Sequence, residues 1–359
     1  MPRNPLLLLG TYTDDAIDGV HGIGEGILGY AFDSETGALE RRFAHYTEQP
    51  TYLGVDSARK LVYACQEIEQ ADRQPGVQCF RVTHGDAQSA IELVNEEPLA
   101  GCVPCYVGLH PDRELWIAGY KSSDLSRMPL AEDGSLLPQS LQLKFAGSGP
   151  RKEQDTAHIH CCAYDEKRRR FYVADLGDDR VRVLVPDGDD WREAPALGLS
   201  VAAGSGPRHL LLHPTDPDRL LLIHELWPEV SILDLTEDGL REAFRFLPFE
   251  PPSEESQGGA AIRTDDAGRY VYVSERKTSS VAVLRYDGAR PKFELVQRVS
   301  THGDNPRDIN LSPDGRWLIA ANLNSHTLAL YRRDPGTGKL TFERLEENVK
   351  SPSCVTWLV

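Results

Sequence analysis

The sequence predicts an all-β fold, a seven-bladed β-propeller of four-stranded blades. Three observations carry that expectation: a repeat of about fifty residues, strand-type patterning within each copy, and unpaired strand segments at both ends of the chain.

The first 49 residues hold three strand candidates, Leu6–Tyr12, Gly26–Phe32 and Leu39–Tyr46, without the anchor that marks later copies. That anchor is a proline or small-residue turn followed by an alternating apolar segment, a polar turn and a second apolar strand. It opens PTYLGVDSARKLVYACQE at Pro50, PCYVGLHPDRELWIAGY at Pro104, PRHLLLHPTDPDRLLLIHEL at Pro207 and PRDINLSPDGRWLIAANL at Pro306. Two copies lack the proline: AHIHCCAYDEKRRRFYVADL from Ala157 and GAAIRTDDAGRYVYVSER from Gly259. A truncated copy, PSCVTWLV, starts at Pro352. The copies are rich in Val, Ile, Leu and Tyr and are punctuated by Gly, Asp and Pro, which is the chemistry of antiparallel hairpins. No long amphipathic helix interrupts them.

The last copy has room for one strand before Val359, and the first 49 residues supply three. One blade built from both ends would close the ring and leave no open sheet edge at the seam. The expectation is a single domain over residues 1–359, with Val355–Leu358 pairing with Leu6–Tyr12. A tryptophan-aspartate pattern at blade period, the mark of common scaffold propellers, is absent.

Composition limits the partners. The 359 residues carry 39 basic and 55 acidic side chains, a formal charge of −16. Such a surface disfavours nucleic acid and anionic membranes, although a local basic pocket remains compatible with it. No apolar run approaches the roughly 20 residues that span a bilayer. MPRNPLLLLGTYT reads as strand and not as a signal peptide. Seven scattered cysteines, two adjacent at Cys161 and Cys162, do not form a disulfide framework and fit a reducing cytoplasm. A monomer or small homo-oligomer is expected.

In a propeller, equivalent positions of successive blades converge on the central channel. At the starts of the inner strands stand His158 and His160, Arg208 and His209, and Arg307 and Asp308. At the ends of the second strands one aligned column holds Glu67, Tyr120, Leu176, Glu225, Arg276 and Leu323. The column before it holds Gln66, Gly119, Asp175, His224, Glu275 and Asn322. Two arginines, a glutamate and one or two histidines are thereby directed at one basin. His158 and His160 share a strand face beside two cysteines, but no third and fourth ligand stand at metal spacing, so no metal and no cofactor is expected. Asp175 and Asp178 read as turn formers, and Arg168–Arg170 as a solvated hairpin turn. His21–Gly26 is glycine-rich but does not lead into a helix, so it is not a phosphate loop.

At these residues the chain resembles a known family. GTYT, HIHCCAYDEKRRRFYVADLGDDRV, GSGPRHLLLHP, YVSER, NPRDINLSPDGRWLIAAN and DPGTGKL are similar to the propeller-type lactonase, or cycloisomerase-2, family from Gly10 to the final strand. Its members include bacterial propeller-type 6-phosphogluconolactonases, lactonases for aldaric acid lactones and fungal carboxymuconate-lactonizing enzymes. The resemblance implies a catalytic set of His160, Arg208, Glu225 and Arg276, to which His158, His209, Glu67 and Arg307 are added as substrate-binding candidates. The sequence departs from the family pattern at Gln66, His224 and Glu275, where Asn is usual, and at Ala118–Asp124. Glu275 beside Arg276 is expected to alter substrate preference.

The expected activity is metal-independent hydrolysis of an anionic sugar lactone, either 6-phosphogluconolactone or an aldaric 1,5-lactone. His160 would act as base, the arginines as anion clamp and carbonyl polariser, and Glu225 as orienter or acid–base partner. A lactonizing cycloisomerase and a non-catalytic binding propeller are the alternatives.

Overall fold

The computed structural model describes residues 5–15, 17, 19–69, 73–85, 88–249 and 258–359. Among them the chain forms seven antiparallel sheets and two one-turn 3₁₀ segments. Blade 1 is the mixed one: Pro352–Leu358 is innermost, followed outward by Leu6–Thr11, Ile27–Phe32 and Leu39–His45. Its seam is antiparallel, with Leu6 opposite Leu358 and Leu9 opposite Val355. The terminal strands therefore close the ring as expected.

The other innermost strands are Pro50–Asp56, Pro104–His110, Ile159–Asp165, Pro207–Leu212, Gly259–Thr264 and Pro306–Leu311, in blades 2 to 7. Each blade then proceeds outward in chain order. Blade 4 carries one extra short strand, Leu199–Ser200, against its third. Each innermost strand packs on those of its two neighbours, so the seven surround one axis.

The core is seven apolar slabs, one between each pair of adjacent blades. Leu6, Leu8, Leu53 and Phe80 fill the slab between blades 1 and 2. Leu7, Leu9, Phe32, Trp317 and Ile319 fill that between blades 7 and 1. The leucine run at Leu6–Leu9 thus serves both faces of its sheet, which is why it reads as continuous rather than alternating. Trp317 is fully buried, and its Nε1 donates to the Ser34 carbonyl at 2.9 Å. Gly37, at φ +73°, lies under that indole, where a Cβ would come within 2.4 Å of the ring.

A β-bulge recurs at the start of every innermost strand. Pairing passes over Thr51, Cys105, His160, Arg208, Arg307 and Ser353, and over Ala260–Ala261 in blade 6. A bulge re-aims the extra residue out of the ladder. These side chains consequently leave the blade faces at one end of the channel.

Candidate active site

Three of the bulged residues, Cys105, His160 and Arg307, meet five second-strand ends in an open basin of about 1180 Å³ at that end of the channel. All seven blades line it. Blade 1 supplies Ile17, Gly19 and Val20; blade 2 Glu67 and Glu69; blade 3 Cys105, Tyr120 and Lys121; blade 4 His160. Blade 5 supplies Glu225, blade 6 Arg276 and Lys277, and blade 7 Asn305, Arg307, Leu323 and Asn324. Four cations (Lys121, Arg276, Lys277, Arg307) face three carboxylates (Glu67, Glu69, Glu225). The lining is therefore cationic within a strongly acidic chain.

Glu225 is the hub. One carboxylate oxygen accepts from Arg208 Nε at 2.8 Å, and the other pairs with Arg276 Nη2 at 2.7 Å. Burial alone would raise its pKa, but Arg276 and Arg208 outweigh burial and hold the carboxyl well below the usual carboxylate range. His160 Nε2 stands 4.0 Å from the same carboxylate. Burial, reinforced by the Arg208 charge and opposed by Glu225, pushes the imidazole well below its ordinary pKa. His160 is thus neutral at physiological pH. Its Nδ1 is sealed from solvent without a hydrogen-bond partner, which leaves Nε2 toward the basin.

A second arm lies across the basin. Both oxygens of Glu67 accept from the Tyr12 hydroxyl at 3.0 Å, and one accepts from Thr51 Oγ1 at 2.5 Å. Arg307 sits 3.7 Å from Glu67, with its guanidinium 5.0 Å over the Tyr12 ring. Burial works against the Arg307 charge, but Tyr12, Glu67 and Glu225 more than offset it.

Of the eight candidates, His160, Glu225, Arg276, Glu67 and Arg307 line the basin. Arg208, His209 and His158 lie directly behind it. Arg208 is 2 % exposed and committed, donating from Nε to Glu225 and from Nη1 to the Ala260 carbonyl at 2.7 Å. Its fork is turned to the protein, so it positions Glu225 and does not present a free pair of donors to an anion. His209 lies past the bulge and packs edge-on to His160 at 5.2 Å and to Tyr52 at 5.9 Å. His158 precedes the bulge. Its Nδ1 lies 3.0 Å from the Tyr120 carbonyl oxygen and its Nε2 3.0 Å from Asp155 Oδ1, and its ring stacks on Tyr120. Neither His158 nor His209 is in the lining, and both rings are buried against neighbours.

The column before the site column turns inward to hold the blades. Asp175 accepts from the backbone of His158, Gly177 and Asp178 and from Arg182 Nε. Glu275, only 2 % exposed, accepts from the amides of Lys277 and Thr278. His224 meets Ser231 at 2.9 Å. Glu275 is therefore a turn residue that does not itself line the basin. The arginine triplet is also less solvated than expected. Arg168 pairs with Asp165 and Asp218, and Arg170 reaches the Thr236 and Glu237 carbonyls, leaving Arg169 exposed.

Tyr120, Lys121, Lys277 and Asn305 belong to the lining without having been singled out. Tyr120 shares the column of Glu67, Glu225 and Arg276, and that shared phase is the signal that could have found it. Among the described residues, no group of three or more His, Cys, Asp and Glu side chains is arranged to hold a metal ion.

A family model described as "Lactonase, 7-bladed beta-propeller" matches residues 6–357. The chain belongs to the seven-bladed β-propeller lactonases. A 6-phosphogluconolactonase of Bacillus subtilis is 30% identical over 354 residues, covering 98% of this chain and 97% of its own. A 6-phosphogluconolactonase of Formosa agariphila is 25% identical, covering 93% and 94%. Among solved structures, the periplasmic gluconolactonase of Pseudomonas aeruginosa superposes with a TM-score of 0.87 at 25% identity, covering 99% of both chains. Lactone hydrolysis is the reaction class that this membership supports. No helix of the described residues is long and apolar enough to cross a membrane.

Proposed function

We propose that this lactonase opens the ring of an anionic sugar-acid lactone by general-base hydrolysis, with 6-phosphogluconolactone or an aldaric 1,5-lactone as substrate. The observation that carries the reading is the pairing of a neutral, buried His160 with a cationic lining in a chain of net charge −16. Two relatives bear the 6-phosphogluconolactonase name, which makes the phosphorylated lactone the first substrate to try.

In this reading His160 Nε2 takes a proton from the attacking water. Arg276 and Arg307 hold the substrate anion and the developing oxyanion, where donors in a partly desolvated site act most strongly. Glu225, fixed by Arg208, holds Arg276 in place and favours the imidazolium that forms. Seven free cysteines accord with a cytoplasmic setting.

The test is continuous titration of the acid released from glucono-δ-lactone, 6-phosphoglucono-δ-lactone and galactaro-1,5-lactone, each corrected for spontaneous opening. Enzymatic opening of at least one, with an anionic lactone favoured over glucono-δ-lactone, supports the proposal. Absence of rate above background on all three would overturn it. The activity is expected to survive EDTA; loss restored by a divalent ion would contradict the metal-independent scheme.

A further inference from the structure

Ring opening needs two proton transfers. The base accounts for one, and the ring oxygen must receive the other as it leaves. Glu225 has no proton to give, because two guanidinium groups hold it ionised. Arginines do not give up theirs. The Tyr12 hydroxyl is donated to Glu67, and the Cys105 thiol is directed at the Ile159 and His160 carbonyls. Lys121 is paired with Glu69 at 2.9 Å, and Lys277 is solvent-exposed at the rim.

Tyr120 is different. It lines the basin, and among the described residues its hydroxyl has no hydrogen-bond partner. His160, Glu225 and Arg276 line the same basin. Burial keeps the phenol protonated. The ring itself is fixed. It stacks on His158 at 4.3 Å and 9°, and His158 is in turn tied to the Tyr120 carbonyl and to Asp155. His160 stands edge-on to it at 5.7 Å.

We propose that Tyr120 is the catalytic acid, donating its phenolic proton to the leaving ring oxygen, and that His158 is the positioning residue that fixes its ring. The inference rests on the lactonase reading above. The steps balance. Water oxygen bonds to the carbonyl carbon while its proton passes to His160. The tetrahedral intermediate then collapses, the bond from carbon to ring oxygen breaks, and that oxygen takes the Tyr120 proton. The His160 imidazolium then returns its proton to the phenolate by way of a second water, drawn from the solvent that enters the open basin. One lactone and one water give one hydroxy acid, and both side chains end as they began. A weakly basic imidazole suits the return step, since it releases its proton readily.

The test is Tyr120→Phe, assayed on whichever lactone the wild type opens. The ring and its stack on His158 remain, and no protein hydrogen bond is lost, so melting curves should overlay those of the wild type. The expected result is a kcat about 100-fold lower, the ordinary scale of general acid catalysis, with KM within about twofold. Tyr120→His, which stacks alike and can donate, should recover part of kcat. Asp155→Ala, at an exposed site, should lower kcat several-fold at unchanged KM by freeing His158. A Tyr120→Phe kcat within threefold of the wild type overturns the proposal and leaves the lactonase reading standing. So does a fall in kcat that merely follows loss of folded protein. If the wild type opens no lactone, the lactonase reading fails and the acid assignment fails with it.

Discussion

Arg208 shows how far a side chain's type can be read apart from its role. Its chemistry suggests an anion clamp, yet its Nε and Nη1 are spent on Glu225 and the Ala260 carbonyl. Arg208→Lys replaces a planar fork, whose Nε and Nη1 reach two separate acceptors, with a point charge that does not reproduce its geometry. It should lower kcat/KM about 10- to 150-fold, the cost of a charge-assisted hydrogen bond of ~1.5–3 kcal/mol; a variant within twofold of the wild type would show that Glu225 is held without it. A second prediction concerns pH. Burial lowers the pKa of His160 and His209 well below the ordinary value, and that of His224 to about 3. In the unfolded chain these rings take up protons below about pH 6.5, whereas in the fold they stay neutral. Their contribution to stability is therefore complete above pH 6.5 and declines as the pH falls below it, by up to about 1.4 kcal/mol per pH unit for each ring. Urea midpoints from pH 7.5 to 5 measure this. A flat profile would mean that the three rings are not held neutral. The eight candidate residues were legible because type and phase are visible in the text. Which of them face solvent was not, because a one-residue bulge separates His160 from His158 and Arg208 from His209.

At the scale of the strand, that bulge is the device that makes the site. Proline marks the residue before it in blades 2, 3, 5 and 7 and in the terminal strand, so the position after the proline is the one re-aimed. The two blades without proline were aligned by analogy, and blade 6 shows why its anchor is glycine. A Cβ on Gly259 would come within 1.9 Å of the His224 carbonyl oxygen, in the backbone of the neighbouring blade. Gly259→Ala must push the innermost strand of blade 6 away from the second strand of blade 5 and should destabilise the fold by about 3 kcal/mol or more, in the range of severe packing strain. A melting temperature within two degrees of the wild type would contradict the close approach. The second-strand ends illustrate the same economy. Alternating side chains place Glu225 in the basin and His224 in the blade, so a column of unlike residues shares a direction but not a chemistry.

Across the whole molecule, stability is distributed over seven inter-blade slabs, and the ring holds only if the seam closes. The ties there include the ladder from Leu6 to Thr11 against the final strand, and Asp308, which accepts from the Val355 amide at 2.8 Å and from Arg263. Deleting residues 352–359 would expose the Leu6–Thr11 edge and uncover leucines that are fully buried. The loss should exceed about 5 kcal/mol, comparable to a domain's entire stability, and give an aggregating chain; a soluble, cooperative truncate would refute the seam. This closure was readable because the end fragments sum to one blade. The chemistry of the basin was less so, because it arises from strand starts and strand ends of seven blades distant in sequence. The most direct test of the account compares kcat for His160→Ala with that for Arg169→Ala, on the lactone that the wild type opens fastest. A base acting in the transition state predicts a kcat about 100-fold or more below the wild type for His160→Ala, with Arg169→Ala, on the exposed turn, unchanged. Near-wild-type rates for His160→Ala would show that the basin, although correctly placed in the fold, is not where the lactone is opened.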